Sequence, residues 1–153
     1  GWAVVQTDEQ GVVQKQVAGA VTSNLPQTSG VGEWCAYYRA KHHCRGGACV
    51  HPDYLSVVKS YKKPIRARLS AKSPHAGIIL ESLMLPDGVG SVEHTKAHRL
   101  ESEVPDSPEA RRDFKGNGAS DSLAKSTRTY HELPDPRLAD QVNRDVSFAS
   151  WAC

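Results

Sequence analysis

Asn117 and Asp121 lie four residues apart in the run Gly116-Asn117-Gly118-Ala119-Ser120-Asp121-Ser122-Leu123-Ala124-Lys125. On a helix that spacing sets an amide and a carboxylate one turn apart on a single face, so both can point at one site. Upstream, the short apolar–polar run Val92-Glu93-His94-Thr95-Lys96-Ala97-His98 ends in a histidine. His98 stands beside Lys96, and the two are able to contact phosphate. His94, four residues earlier and inside an expected strand, reads as packing. A third group is made of thiols and imidazoles. Cys44 and Cys49 are five apart, with His42 and His43 just before them. These residue types are zinc ligands, yet structural zinc usually takes two tight ligand pairs, and no second pair follows. Cys35 and Cys153 complete the thiols, and none of the four forms a C-x-x-C pair. Reduced thiols of an intracellular protein are the plainer reading.

The elements that must position these residues belong to an ordinary globular composition. The chain has 153 residues, 39% hydrophobic and 24% charged, with a formal net charge of +2. That is enough chain for one domain with its own core. The weak basicity permits a nucleic-acid partner without arguing for one. No apolar run approaches the roughly 18 residues a membrane-spanning helix needs. The chain opens on Gly1 rather than Met, and the expectation is a piece of a longer polypeptide.

Trp2 to Val5 is apolar, residues 7–11 form a polar turn closed by Gly11, and Val13, Lys15, Val17, Gly19 and Val21 alternate with Gln14, Gln16, Ala18 and Ala20. This predicts a β-hairpin. A helix is expected from about residue 32 to 43, ended by Gly46-Gly47. A short strand follows at 48–50, then a helix at 54–61 ended by Lys62-Lys63-Pro64. Ala76, Ile79, Leu80, Leu83 and Met84 recur at helical spacing within 72–84, which predicts an amphipathic helix. A strand is expected at 89–95, a polar loop at 105–113, and a helix from about 116 to 130 with Ala119, Leu123, Thr127 and Tyr130 inward. Asp135-Pro136 then signals a further helix start. The order β, β, α, β, α, α, β, α predicts an α/β fold.

That order, with the histidine loop and the Gly-Asn-x-x-x-Asp-x-Leu-Ala-Lys run, resembles the ribonuclease H family. The pattern of Lys96-Ala97-His98 followed by Asn117 and Asp121 looks like the ribonuclease H domains attached to reverse transcriptases of non-LTR retroelements. The resemblance covers residues 1–131, with 132–153 as a C-terminal tail that could dock as a short helix. It implies a mixed sheet flanked by helices. It also exposes one departure: the first, central strand of that fold, with its catalytic Asp, is missing from this chain.

The resemblance implies a residue-by-residue site. Glu33 matches the acid of the first helix; alternatively it is an acidic residue favouring a helix N-terminus. Asp53 matches the acid at the end of the next strand; it could equally cap the helix at Tyr54. Asp121 matches the acid of the last helix and Asn117 the Asn before it. His98 matches the loop histidine that assists proton transfer or product departure. Glu33, Asp53 and Asp121 would hold Mg²⁺, two ions in an active enzyme, one activating water and the other stabilising the leaving oxygen. The implied activity is endonucleolytic cleavage of RNA in RNA–DNA hybrids. Lys96, Lys62, Lys63 and Arg66, with Lys59 and Arg68, are candidate phosphate contacts, or else a solvated basic loop. The implied partners are a hybrid or structured RNA and another polypeptide segment that completes the sheet. The alternative is a catalytically inactive module of the same fold, serving as a structural or nucleic-acid-binding part of a larger complex.

Overall fold

The computed structural model describes residues 1–22, 25–70, 73, 75–86 and 88–127. Among these residues four strands and five helices follow in the order β1 (Trp2–Thr7), β2 (Val13–Gly19), α1 (Ser29–His43), β3 (Ala48–Val50), α2 (Leu55–Tyr61), α3 (Ile65–Arg68), α4 (Ala76–Leu83), β4 (Val89–Val92) and α5 (Pro108–Ser126), with a 3₁₀ turn at Glu101–Glu103. The fold is mixed α/β, as the element order predicts. The expected tail 132–153, with its helix after Asp135-Pro136, and Tyr130 lie outside the described residues. Among the described residues no helix is long and apolar enough to cross a membrane.

β1 and β2 pair antiparallel from Trp2 opposite Gly19 to Thr7 opposite Val13, with an irregularity between Gln6 and Thr7. Asp8 closes the turn: its carboxylate accepts from the backbone N–H of Gln10 at 3.0 Å and of Val12 at 2.8 Å. Gly11 takes a φ of 78°, which an L side chain adopts poorly. β3 and β4 pair parallel. Their hydrogen bonding runs past both strand ends, with Glu93 N–H donating to Val50 O at 2.9 Å and Thr95 N–H to Pro52 O at 3.0 Å.

The two ladders are separate two-stranded sheets. This corrects the single mixed sheet that the resemblance implies: within the described residues the hairpin forms a sheet of its own. Neighbouring strands of a sheet lie about 4.8 Å apart, and among the described residues no strand joins β1 to β3.

Helices hold the ladders together. α1 starts where Thr28, in extended backbone, accepts from Val31 N–H at 3.3 Å. It buries Val31, Trp34, Tyr37 and Ala40, the i, i+3 stripe of a core-facing helix. Around it collect Trp2, Val21, Val57, Val58, Ile78, Ile79, Val89 and Val92. One core therefore draws on both ladders and on α1, α2 and α4.

α4 departs from its expected stripe. It starts at Ala76 and turns Ile78, Ile79 and Ser82 inward, while Leu80 is 51% and Met84 81% exposed. Its packing on α1 decides the inward face, not the apolar spacing alone. α5 starts at Pro108, where a polar loop is expected. Ser107 Oγ accepts from Ala110 N–H at 3.1 Å, and Pro108 sits in the first turn, where its missing N–H costs nothing. α5 lies across the hairpin: Ser120 Oγ–H donates to Ala3 O at 3.1 Å and Lys115 Nζ to Gln10 O at 3.2 Å.

Candidate functional site

Glu33, Asp53, Asp121 and His98 arrive from four places in the fold. Glu33 lies in the second turn of α1, which has no acidic residue in its first turn; its position is not that of a helix-start acid. It is half-buried. Asp53 follows the last hydrogen bond of β3 with β4. The cap position of α2 is Tyr54, without a side-chain capping bond, so the Asp53 carboxyl is not a helix cap. Asp121 lies on the middle turns of α5, and Asn117, half-buried, sits one turn before it.

These carboxyls share one electrostatic neighbourhood. Burial first, then the charges of Asp53 and Asp121, push Glu33 up from 4.5 to about 7. A side-chain interaction with Asp53 also raises it. Neighbouring carboxyls interact favourably only when one keeps a proton, and Glu33 is the more strongly raised of the two. Asp53 is likewise raised, by burial and then by Asp121; His98 and His94 pull it back. The pair titrates as a unit. Such crowding favours a protonated Glu33 or a bound cation.

His98 Nδ1 lies 3.9 Å from Asp121 Oδ2, with the imidazole largely in solvent. Its φ of 51° is left-handed, an uncommon backbone for a non-glycine residue and one in which His is enriched. The loop is thus held in a restricted conformation where the imidazole meets the acids.

His94 is not strand packing. β4 ends at Val92, His94 is exposed, and its ring N–H, Nε2, donates to the Asp53 backbone carbonyl at 3.0 Å. The carbonyl can only accept, which sets the tautomer. Together with Thr95 N–H on Pro52 O, this bond pins the backbone that carries Asp53. A histidine four residues before His98 was the available signal, but only the parallel register shows what it holds.

The basic residues divide. Lys59, Lys63 and Arg68 line a cleft of about 520 Å³ with Trp34, Tyr54 and His75. Lys62, Arg66 and Lys96 are exposed and lie outside that lining. The Nε1 of Trp34 and Nδ1 of His75 are buried without hydrogen-bond partners.

Three oxygen-donor carboxylates with one proton held back fit a hard divalent cation such as Mg²⁺, which takes oxygen ligands and keeps several waters. They do not close into a tight cage. Among the described residues the group whose ligand atoms all lie within 4.8 Å of one another is Cys49, His51 and Glu93. The zinc set considered around Cys44 does not assemble with Cys49 in that group. His42 and His43 stack edge to face, 4.9 Å between ring centres, and Cys44 ends α1 with its N–H on Ala40 O. No family model, no curated protein and no solved structure matches this chain.

Proposed function

We propose that this chain is a ribonuclease-H-like module whose carboxylate site binds Mg²⁺ and, once a further acid is supplied, cuts the RNA strand of RNA–DNA hybrids. The observation that supports the reading is that the charges of Asp53 and Asp121 help raise Glu33, that Asp121 helps raise Asp53, and that His98 Nδ1 stands 3.9 Å from Asp121. Mg²⁺ would be held by the three carboxylates and supply an activated water and charge stabilisation. Glu33 would release its proton to solvent on binding the cation. Asn117 presents an amide beside Asp121 to a ribose or phosphate oxygen. His98, exposed and against Asp121, takes or delivers a proton at the reacting face. Lys59, Lys63 and Arg68 offer positive charge to the backbone, which positions a nucleic acid without reading its sequence; Lys62, Arg66 and Lys96 add to it from the surface.

The missing acid belongs to a strand that pairs with β1 on one side and β3 on the other. The separation of the two ladders supports this: β1 and β3 are not hydrogen-bonded to each other, and each buried unpaired backbone group costs about 1–3 kcal/mol. The same observation favours the second reading, an inactive module that another polypeptide completes.

A Mg²⁺-dependent cleavage assay on a labelled hybrid separates the two. The 153-residue chain alone stays inactive. With a strand carrying an Asp supplied, cleavage appears and Asp121→Asn abolishes it, because an amide is not an anionic ligand. Cleavage by the chain alone, indifferent to Asp121→Asn, refutes the site. A completed sheet without cleavage supports the inactive module.

A further inference from the structure

Cys49, His51 and Glu93 come together for a reason visible in the backbone. Cys49 and His51 are two apart on extended chain and share a face. The parallel register sets Cys49 opposite Ser91 and Val50 opposite Val92, and Glu93 N–H donates to Val50 O. Residues 49, 51, 91 and 93 therefore occupy one face of the two-stranded ladder. Their donor atoms meet there: Cys49 Sγ, a His51 ring nitrogen and a Glu93 carboxylate oxygen all lie within 4.8 Å of one another. Ser91, opposite Cys49 in the register, shares that face with the thiol. Asp113 of α5 completes the surround, its Oδ2 3.3 Å from His51 Nδ1.

We infer that Cys49, His51 and Glu93 form a binding site for a zinc-class cation, with Asp113 orienting the imidazole. This site is separate from the three carboxylates and does not depend on their function. The donor set selects the metal class. A thiolate disfavours Mg²⁺ and Ca²⁺, and sulfur, imidazole and one carboxylate suit Zn²⁺. Asp113 on Nδ1 leaves Nε2 with the lone pair a metal needs, the carboxylate–histidine–metal arrangement that fixes ring orientation. Zinc bonds of about 2.0–2.3 Å set tetrahedral donors roughly 3.3–3.8 Å apart, so atoms that lie within 4.8 Å of one another need to close by no more than about 1.5 Å on binding. Cys49 releases its proton to solvent as the zinc–sulfur bond forms. Three protein ligands leave a fourth position for water. Cys49 and Glu93 are exposed, which gives the ion an entry path.

The test loads the 153-residue chain with Zn²⁺ or Co²⁺, removes excess by desalting, and measures bound metal and the Co²⁺ spectrum. One metal per chain is expected, with tetrahedral visible bands and a thiolate-to-cobalt charge-transfer band. Cys49→Ser removes the charge-transfer band. Glu93→Gln and Asp113→Asn weaken zinc binding roughly tenfold or more. Cys44→Ser leaves it unchanged, and circular dichroism checks that each variant is folded. Absence of retained zinc, or zinc and a charge-transfer band that survive Cys49→Ser, overturns the assignment.

Discussion

Glu33→Gln isolates the energetic strain of the carboxylate site. With its carboxyl raised from 4.5 to about 7, native Glu33 binds a proton over a pH range in which the unfolded chain has lost it. Stability changes with pH in proportion to the protons bound by the unfolded state minus those bound by the native state, so it falls between pH 4.5 and about 7. The contribution of Glu33 is fully present below pH 4.5 and lost above about pH 7. At 1.36 kcal/mol per pH unit the loss reaches about 3 kcal/mol. Proton sharing with Asp53 lowers what is measured to roughly 1–3 kcal/mol. Gln keeps the shape of protonated Glu33 and can donate to Asp53. The variant should match the wild type near pH 4.5 and exceed it by roughly 1–3 kcal/mol at pH 8. Urea denaturation at a series of pH values reads this as a midpoint difference opening to roughly 1 M, given slopes of about 1–3 kcal/mol/M. Subtracting the two curves cancels the titrating groups that are not coupled to Glu33; Asp53, which is coupled, stays in the difference. Mg²⁺ should stabilise the wild type more at pH 8 than at pH 5, since protonated Glu33 cannot ligate. At a hundred times the dissociation constant the gain is about 2.7 kcal/mol, and Glu33→Gln should lose much of it. A difference curve flat from pH 4.5 to 8 would show that Glu33 is not held protonated against its neighbours.

Asp121→Asn should bring Glu33 back toward its ordinary range, because one of the charges raising it is gone; a carboxyl NMR titration in which Glu33 does not move would contradict their proximity. His94→Ala should raise Asp53 further, since His94 lowers it, and should speed hydrogen exchange at Thr95, whose N–H bonds Pro52 O next to the freed Asp53 carbonyl. Val57→Ala, at a fully buried position, should cost about 2 kcal/mol by thermal or urea denaturation, whereas Met84→Ala, 81% exposed, should stay within about 0.5 kcal/mol. Ser107→Ala removes the cap of α5 and should cost about 1 kcal/mol; an unchanged midpoint would return residues 105–113 to the expected loop.

Much of this chain is legible locally. The turn closed by Gly11, the alternation of β2, the end of α1 before Gly46-Gly47 and the stop of α2 at Lys62-Lys63-Pro64 follow from backbone preferences acting over a few residues. So does the shared face of Asn117 and Asp121, which needs only helical spacing. The start of α5 was legible too, in Ser107-Pro108, but the polarity of residues 105–113 masked a cap followed by a first-turn proline. What the tertiary structure decided depends on residues distant in sequence. The inward face of α4 is set by α1, so Ile78 is buried while Leu80 is not. The parallel register of β3 with β4 turns His94 from an expected packing residue into a ring that pins the Asp53 backbone, and sets Cys49 and His51 against Glu93 rather than beside Cys44. The raised Glu33 carboxyl arises from burial and from two charges 20 and 88 residues away along the chain. Local spacing determines which side chains share a face, whereas register and desolvation, which act between segments, determine which faces meet and what charge they can carry.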